Sequence, residues 1–244
     1  MELPNINLHI HSKYSDGKNS ISQIVSSALD KGLDYICISD HFTNSWKADM
    51  IPNLNSLDKI KMYLEEITQF QELLIEEDRQ MALFKGIEID LSSTEKFIIN
   101  NIIPTQFDLI MFEYLENIEG ISFIKKIIHY WKRKTKNPKD FPLIGLAHFD
   151  PSFFIFNGMT ILIDFLKQNQ IFFEFNSSYP QYYSQKFRSF FDQLRENNIL
   201  VSIGCDSHHI STLKDVEEAY DRIKLYALEE NLKNLIQILD KKLS

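Results

Sequence analysis

Short apolar runs with alternate residues on a common face recur along the chain, separated by longer segments whose apolar residues repeat every three to four positions. The runs are INLHIH (6–11), LDYICIS (33–39), MALFKGIEI (81–89), FDLIMFEY (107–114), PLIGLAHF (142–149), QIFFEFN (170–176) and ILVSIGC (199–205). Helical spacing covers Ile21–Asp30, Leu57–Glu77, Ile121–Arg133, Met159–Gln168 and Lys186–Asn197, and a long helical tail runs from Leu213 onward. The connection 90–106 is less regular, and FTNSWKADMIPNLNS (42–56) reads as a long loop after the second strand. Strands alternating with helices predict parallel pairing through right-handed crossovers. No glycine-rich dinucleotide turn follows the first strand, so seven such units predict an α/β barrel rather than an open doubly wound sheet. No repeat, low-complexity tract or Pro/Gly linker divides the chain, so residues 1–244 are expected to form a single domain.

Composition adds little to that picture but narrows the partners. Apolar residues make up 44% and charged residues 25% of the 244, as in ordinary globular chains. The 19 Phe and 10 Tyr predict a bulky core. A net charge of −8 argues against a long nucleic acid as partner, since a phosphate backbone calls for a basic surface. The basic run KKIIHYWKRKTKNPK (125–139) reads as a solvated helix end and loop. No apolar stretch approaches the ~20 residues that span a bilayer, and the N-terminus lacks a basic-then-apolar leader, so no membrane association and a cytoplasmic location are expected. Cys37 and Cys205 are read as free thiols. Oligomeric state is left open by the sequence.

The chemistry lies in the polar residues that interrupt the apolar runs, because they fall at the C-terminal ends of the strands. The first run gives His9 and His11, on one face by the two-residue period, and the loop after it gives Asp16. Then come Asp40 and His41 in SDH, Glu88 in GIEID, His148 in LAHFD, Glu174 and Asn176 in FEFNSS, and Asp206 and His208 in GCDSHH. In a barrel these ends converge on one mouth, where sites of this architecture are built. Imidazoles and carboxylates without a thiolate cluster are what divalent metals select, and there are more of them than one ion can use. A centre of two or three divalent ions is expected.

These motifs, in order over nearly the whole chain, resemble the PHP (polymerase and histidinol phosphatase) family of metal-dependent phosphoesterases. LHIHSKYSDG looks like its first motif, ISDHF its second, GIEI and AHFD its third pair and GCDSHH its last, and FEFNSS resembles its strand-six segment. The resemblance implies a distorted (β/α)7 TIM-like barrel with a trinuclear centre of zinc, manganese or iron. It implies as ligands His9, His11, Asp16, His41, Glu88, His148, Asp206 and His208, with Glu88 bridging two ions. Asp40 is then a strand-end cap behind the ligands, and Glu174 and Asn176 brace the mouth.

One departure stands out. Family members usually carry a histidine after the fourth strand, and FDLIMFEYLEN has none; the expected position is Leu115. Glu113, two residues earlier and on the same face, replaces it with an oxygen ligand, or the third ion is weakly held or absent. An oxygen-richer site leans towards manganese or iron over zinc.

The expected reaction is hydrolysis of a small-molecule phosphomonoester, histidinol-phosphate-like or a nucleotide, by a metal-bridging hydroxide, with His41, Asp206 and His208 in catalytic roles. Asn176, Lys186, Arg188 and His209 are the candidate substrate contacts. Two other readings stay open: an amidohydrolase-type barrel, which also has His-x-His after its first strand, and a catalytically silent, metal-stabilised binding module.

Overall fold

In the computed structural model, which describes residues 3–156 and 158–243, every predicted run becomes a strand. They are β1 (Ile6–Ile10), β2 (Tyr35–Ile38), β4 (Ala82–Asp90), β5 (Leu109–Glu113), β6 (Leu143–Leu146), β7 (Ile171–Asn176) and β8 (Val201–Gly204). All pair in parallel, in that order. An additional short strand, β3 (His41–Phe42), pairs with β4. It continues β2 beyond a break at Ser39 and Asp40, since Ile38 lies opposite Lys85 and His41 opposite Glu88. The sheet closes where His11 N donates to Ser207 O (2.9 Å) and Ser207 N donates to His9 O (3.1 Å). The result is a nearly closed α/β barrel ringed by helices.

Strands β1, β5, β6, β7 and β8 are buried along their whole length, as expected where one face lines the barrel and the other receives helices. Helix α1 (Ile21–Asp30) buries Ile21, Ile24, Val25 and Ala28, one stripe at the helical period, and starts on a capping box between Ser20 and Gln23. Helix α2 (Leu57–Glu76) buries Ile60, Tyr63, Leu64, Ile67 and Leu74. The less regular connection holds α3 (Glu95–Asn101), and α4 (Ile118–Lys134) buries five apolar residues ending in Trp131. Lysines 125, 126, 132 and 134 on α4 are exposed, so the basic run is a solvated face and helix end.

Helix α5 (Met159–Asn169) precedes β7, and α6 (Arg188–Glu196) lays Phe190 and Phe191 against Phe173 and Phe175 at ring separations of 5.3 to 6.0 Å. The abundant aromatics thus pack the layer between barrel and helices. The tail is two helices rather than one, α7 (Glu217–Leu225) and α8 (Glu229–Leu243), broken where Ala227 takes φ 53°. Both cysteines are buried free thiols. Among the described residues no helix is long and apolar enough to cross a membrane.

Candidate metal centre

Strand parity sets the first corner. His9 and His11 turn the same way from β1, and their Nε2 atoms stand 3.1 Å apart. Glu174 on β7 holds two neighbours at once: Oε1 accepts from His9 Nδ1 (2.9 Å) and Oε2 accepts from the His148 backbone N–H (2.6 Å). With Nδ1–H so engaged, His9 presents a bare Nε2 lone pair to the centre. The loop after β1 is folded by Asp40, which accepts from Ser12 N (2.8 Å), Ser12 Oγ (2.6 Å), Ser15 N (3.1 Å) and Ser15 Oγ (2.5 Å). Gly17 is required in this loop because a Cβ there would sit 2.3 Å from His11 O. The turn carries Asp16 inward, its Oδ1 3.2 Å from His208 Nε2.

The β3–β4 register brings His41 beside Glu88, with Nδ1 2.8 Å from Oε2. Glu88 Oε1 lies 3.1 Å from His148 Nε2. Asp206 Oδ1 stands 2.9 Å from His11 Nε2 and 3.5 Å from His9 Nε2. His148 (φ 32°) and Asp206 (φ 51°) both sit in the left-handed region, strain that aims their side chains across the mouth. Among the described residues the donor atoms fall into three groups: His11, Asp16, His41 and His208; His9, His11 and Asp206; and His41, Glu88 and Glu113. His148 stands beside them, facing Glu88.

The donor set fits divalent ions in the first two groups. His9 Nε2, His11 Nε2 and Asp206 Oδ1 lie within 3.5 Å of one another, and Glu88 Oε2, 3.6 Å from His11 Nε2, is buried without a hydrogen bond. A buried carboxylate oxygen left unsatisfied beside such a cluster calls for a cation.

The electrostatics agree. Burial opposes the imidazolium of His9, but the carboxylates of Glu174, Glu88 and Asp206 overcome it and hold the pKa well above the usual value. His41 is likewise opposed by burial and yet raised to about 10 by Glu88 and Glu113. His11 goes the other way, lowered by burial and by neighbouring His41. Burial disfavours the charged forms of Glu88 and Asp206, yet His9, with His41 and His11, keeps both well below the carboxylate range. Without an ion, His9 and His41 thus take up protons that balance the carboxylates, a positive charge that a divalent cation would supply in their place.

The other expected residues divide. Asp40 and Glu174 lie behind the donor groups, Asp40 bonded to the loop of Ser12 and Ser15 and Glu174 to His9 and the His148 backbone. Asn176 is buried, its Oδ1 capping Ser178 N and its Nδ2 without a partner. His209 is exposed and caps the next turn, accepting from Ser211 N, on the wall of a cavity of about 400 Å³ shared with Asp206, His208, Ser177 and Ser178. Lys186 and Arg188 are not brought to the centre: Lys186 lies over the Phe187 ring, and Arg188 faces Asp192 one helical turn away at 3.8 Å. Lys186 is exposed in the short turn 185–187, and Arg188 is exposed at the start of α6. A larger cavity of about 780 Å³ lies at the starts of β6, β7 and β8, among Leu143, Gln170 and Leu200, with no carboxylate or imidazole in its wall.

At the fourth-strand position, Leu115 is buried core and Glu113 faces the centre. Glu113 does not stand alone, because Lys47 from the loop after β3 reaches in and donates to both its oxygens (2.8 and 2.9 Å). Lys47 escaped the sequence reading, as did Tyr179, whose hydroxyl donates to Asp206 Oδ2 (3.1 Å) and whose ring lies 4.7 Å from His148. Asp90 was also missed: two residues beyond Glu88, it accepts from Thr43 and Ser45 hydroxyls and fastens the Lys47 loop to β4. Only its place in GIEID, at a strand end, could have drawn attention to it.

No curated protein matches the chain. Among solved structures, a histidinol phosphate phosphatase from Lactococcus lactis, complexed with zinc, L-histidinol and phosphate, superposes with a TM-score of 0.59 at 17% identity, over 92% of this chain and 94% of that one. A second match belongs to the metal-dependent tyrosine phosphatases YwqE from Bacillus subtilis and CpsB from Streptococcus pneumoniae (TM-score 0.52, 16% identity, 90% of this chain and 86% of that one). At such identities the likeness is one of fold. The PHP domain model matches residues 7–150, from the first histidine pair through His148, and the chain belongs to the PHP domain family.

Proposed function

We propose that the chain, as a single catalytic domain, is a metal-dependent phosphoesterase that hydrolyses a small-molecule phosphomonoester at the barrel mouth. The observation that carries this reading is the convergence of imidazole and carboxylate atoms at one buried mouth, His9 Nε2, His11 Nε2 and Asp206 Oδ1 among them, with Glu88 Oε2 buried there without a hydrogen bond. Family membership supports it, as does likeness of fold to a zinc protein holding histidinol and phosphate and to metal-dependent tyrosine phosphatases. In this proposal His9, His11, Asp16, His41, Glu88, His148, Asp206 and His208 hold divalent zinc, manganese or iron. Such ions, when bound, neutralise phosphoryl oxygens and lower the pKa of a water towards ~7.

The chain's own residues supply orientation and proton handling. Glu174 fixes the tautomer of His9 through Nδ1 and holds the His148 backbone, so both rings keep their angle. His208 is the most open of the histidines at the centre, its side chain 35% exposed, with Nδ1 held by Asp206 O and Nε2 by Asp16. With Nδ1–H so engaged, His208 turns Nε2 to the centre at its open edge, where a substrate would enter. Tyr114, His148 and Tyr179 form a wall of adjacent rings, at 6.3 and 4.7 Å, which favours a substrate with a flat group beside its phosphate. The adjoining cavity of about 400 Å³ suits a small molecule, and the net charge of −8 disfavours a polynucleotide.

The test is a turnover screen of the full chain loaded in turn with manganese, zinc and iron. Substrates are histidinol phosphate, phosphotyrosine peptide, nucleoside monophosphates and bisphosphates, and short oligonucleotides. The expected result is phosphate release from a small monoester, with weaker turnover of oligonucleotides. Bound metal with no turnover of any of them overturns the reading in favour of the silent binding module.

A further inference from the structure

Lys47 belongs to a loop with no ligand-type pattern, yet its ammonium lies within the constellation. Its Nζ stands 2.8 and 2.9 Å from the oxygens of Glu113, 3.4 Å from His41 Nδ1 and 3.4 Å from Tyr114 Oη, and the side chain is only 12% exposed. The loop that delivers it is fastened at several points. Ser45 caps the turn Trp46–Asp49, Thr43 and Ser45 donate to buried Asp90, and Asn44 exchanges hydrogen bonds with Ser93 and Thr94. Lys47 is therefore held in the centre by packing and hydrogen bonds, unlike a lysine swinging on the surface.

Of the three donor groups found among the described residues, the one formed by His41, Glu88 and Glu113 already contains a lysine ammonium. Both Glu113 oxygens are engaged by the ammonium, so a divalent ion there would compete for the same lone pairs at hydrogen-bond distance from a like charge. Glu113, 1% exposed, requires a counter-charge, and Lys47 provides it. This is also the point where the family's fourth-strand histidine is missing.

We propose that the Lys47 ammonium takes the place of a third metal ion, so that the centre consists of two divalent ions and one fixed organic cation. The proposal deepens the phosphoesterase reading and rests on it for the two remaining ions. Lysine brings three rotatable N–H donors and a permanent charge to that corner, and no capacity to acidify a water.

The experiment counts metal per chain by inductively coupled plasma mass spectrometry, after saturation with manganese or zinc and removal of free ion. Native protein and Lys47→Arg are expected to hold two ions, Lys47→Met three, and Glu113→Gln two. Any native count other than two overturns the proposal, as does a Lys47→Met protein that keeps the native circular dichroism spectrum and still binds two. The native count decides the matter even if Lys47→Met fails to fold. Counting does not depend on turnover: two ions without hydrolysis of any ester refutes the phosphoesterase reading alone, and hydrolysis with three native ions refutes the lysine proposal alone.

Discussion

Glu174→Gln isolates the orienting role of a residue that contacts two of the centre's histidines. Both carboxylate oxygens of Glu174 accept from N–H donors, one from His9 Nδ1 at 2.9 Å and one from the His148 backbone at 2.6 Å. Glutamine keeps the volume but offers one acceptor and one NH2, so one N–H must face another donor in a fully buried place. Loss of one buried charge-assisted hydrogen bond costs about 1.5–3 kcal/mol. For a chain of this length that lowers the melting temperature of the metal-free protein by about 3–12 °C. Misoriented first ligands weaken metal binding by about 10–100-fold, equivalent to about 1.4–2.8 kcal/mol. Competition against a chromogenic chelator measures the affinity, and a thermal melt measures the stability. A variant that binds metal within about twofold of the native protein refutes the idea that Glu174 orients the centre.

Other perturbations probe the same account from different sides. Gly204→Ala places a Cβ 2.1 Å from Glu174 Oε1 and 2.7 Å from the His9 Cβ, so overpacking of about 1–3 kcal/mol is expected, with a matching loss of metal affinity; an unchanged melt contradicts the packing argument. Asp40→Asn replaces a carboxylate that accepts from Ser12 and Ser15, so the loop bearing Asp16 loosens and metal affinity falls though no ligand is removed; native affinity by calorimetry speaks against it. Burial raises the pKa of Asp108 from its ordinary 3.8 at the far end of the barrel, so its ionised form is destabilising above the folded pKa and the cost fades as pH falls towards 3.8. Asp108→Asn is therefore expected to melt higher than the native chain at pH 7, with the gap narrowing under acid; a gap that widens instead has the wrong sign.

The barrel and the carboxylate–imidazole ring were legible because both rest on short-range rules. The two-residue period of a strand puts His9 and His11 on one face, and apolar runs spaced by helices imply parallel closure. Lys47 was hidden for the opposite reason. A lysine in an irregular loop looks like a solvated cation, and only the tertiary bonds of Thr43 and Ser45 to Asp90 swing it onto Glu113. Lys186 and Arg188 show the converse, cations expected at the substrate that lie over the Phe187 ring and beside Asp192. The break at Ala227 has no glycine or proline to mark it, and the second unit's continuation as β3 depends on register across Ser39 and Asp40.

Hydrolysis of an aryl phosphate by the full chain, measured before chelation, after chelation and after manganese or zinc is restored, tests the central claim most directly. The account predicts turnover that disappears with the metal, returns with it, and is absent from Asp206→Ala in every state. Turnover that survives chelation, or that Asp206→Ala retains, contradicts it.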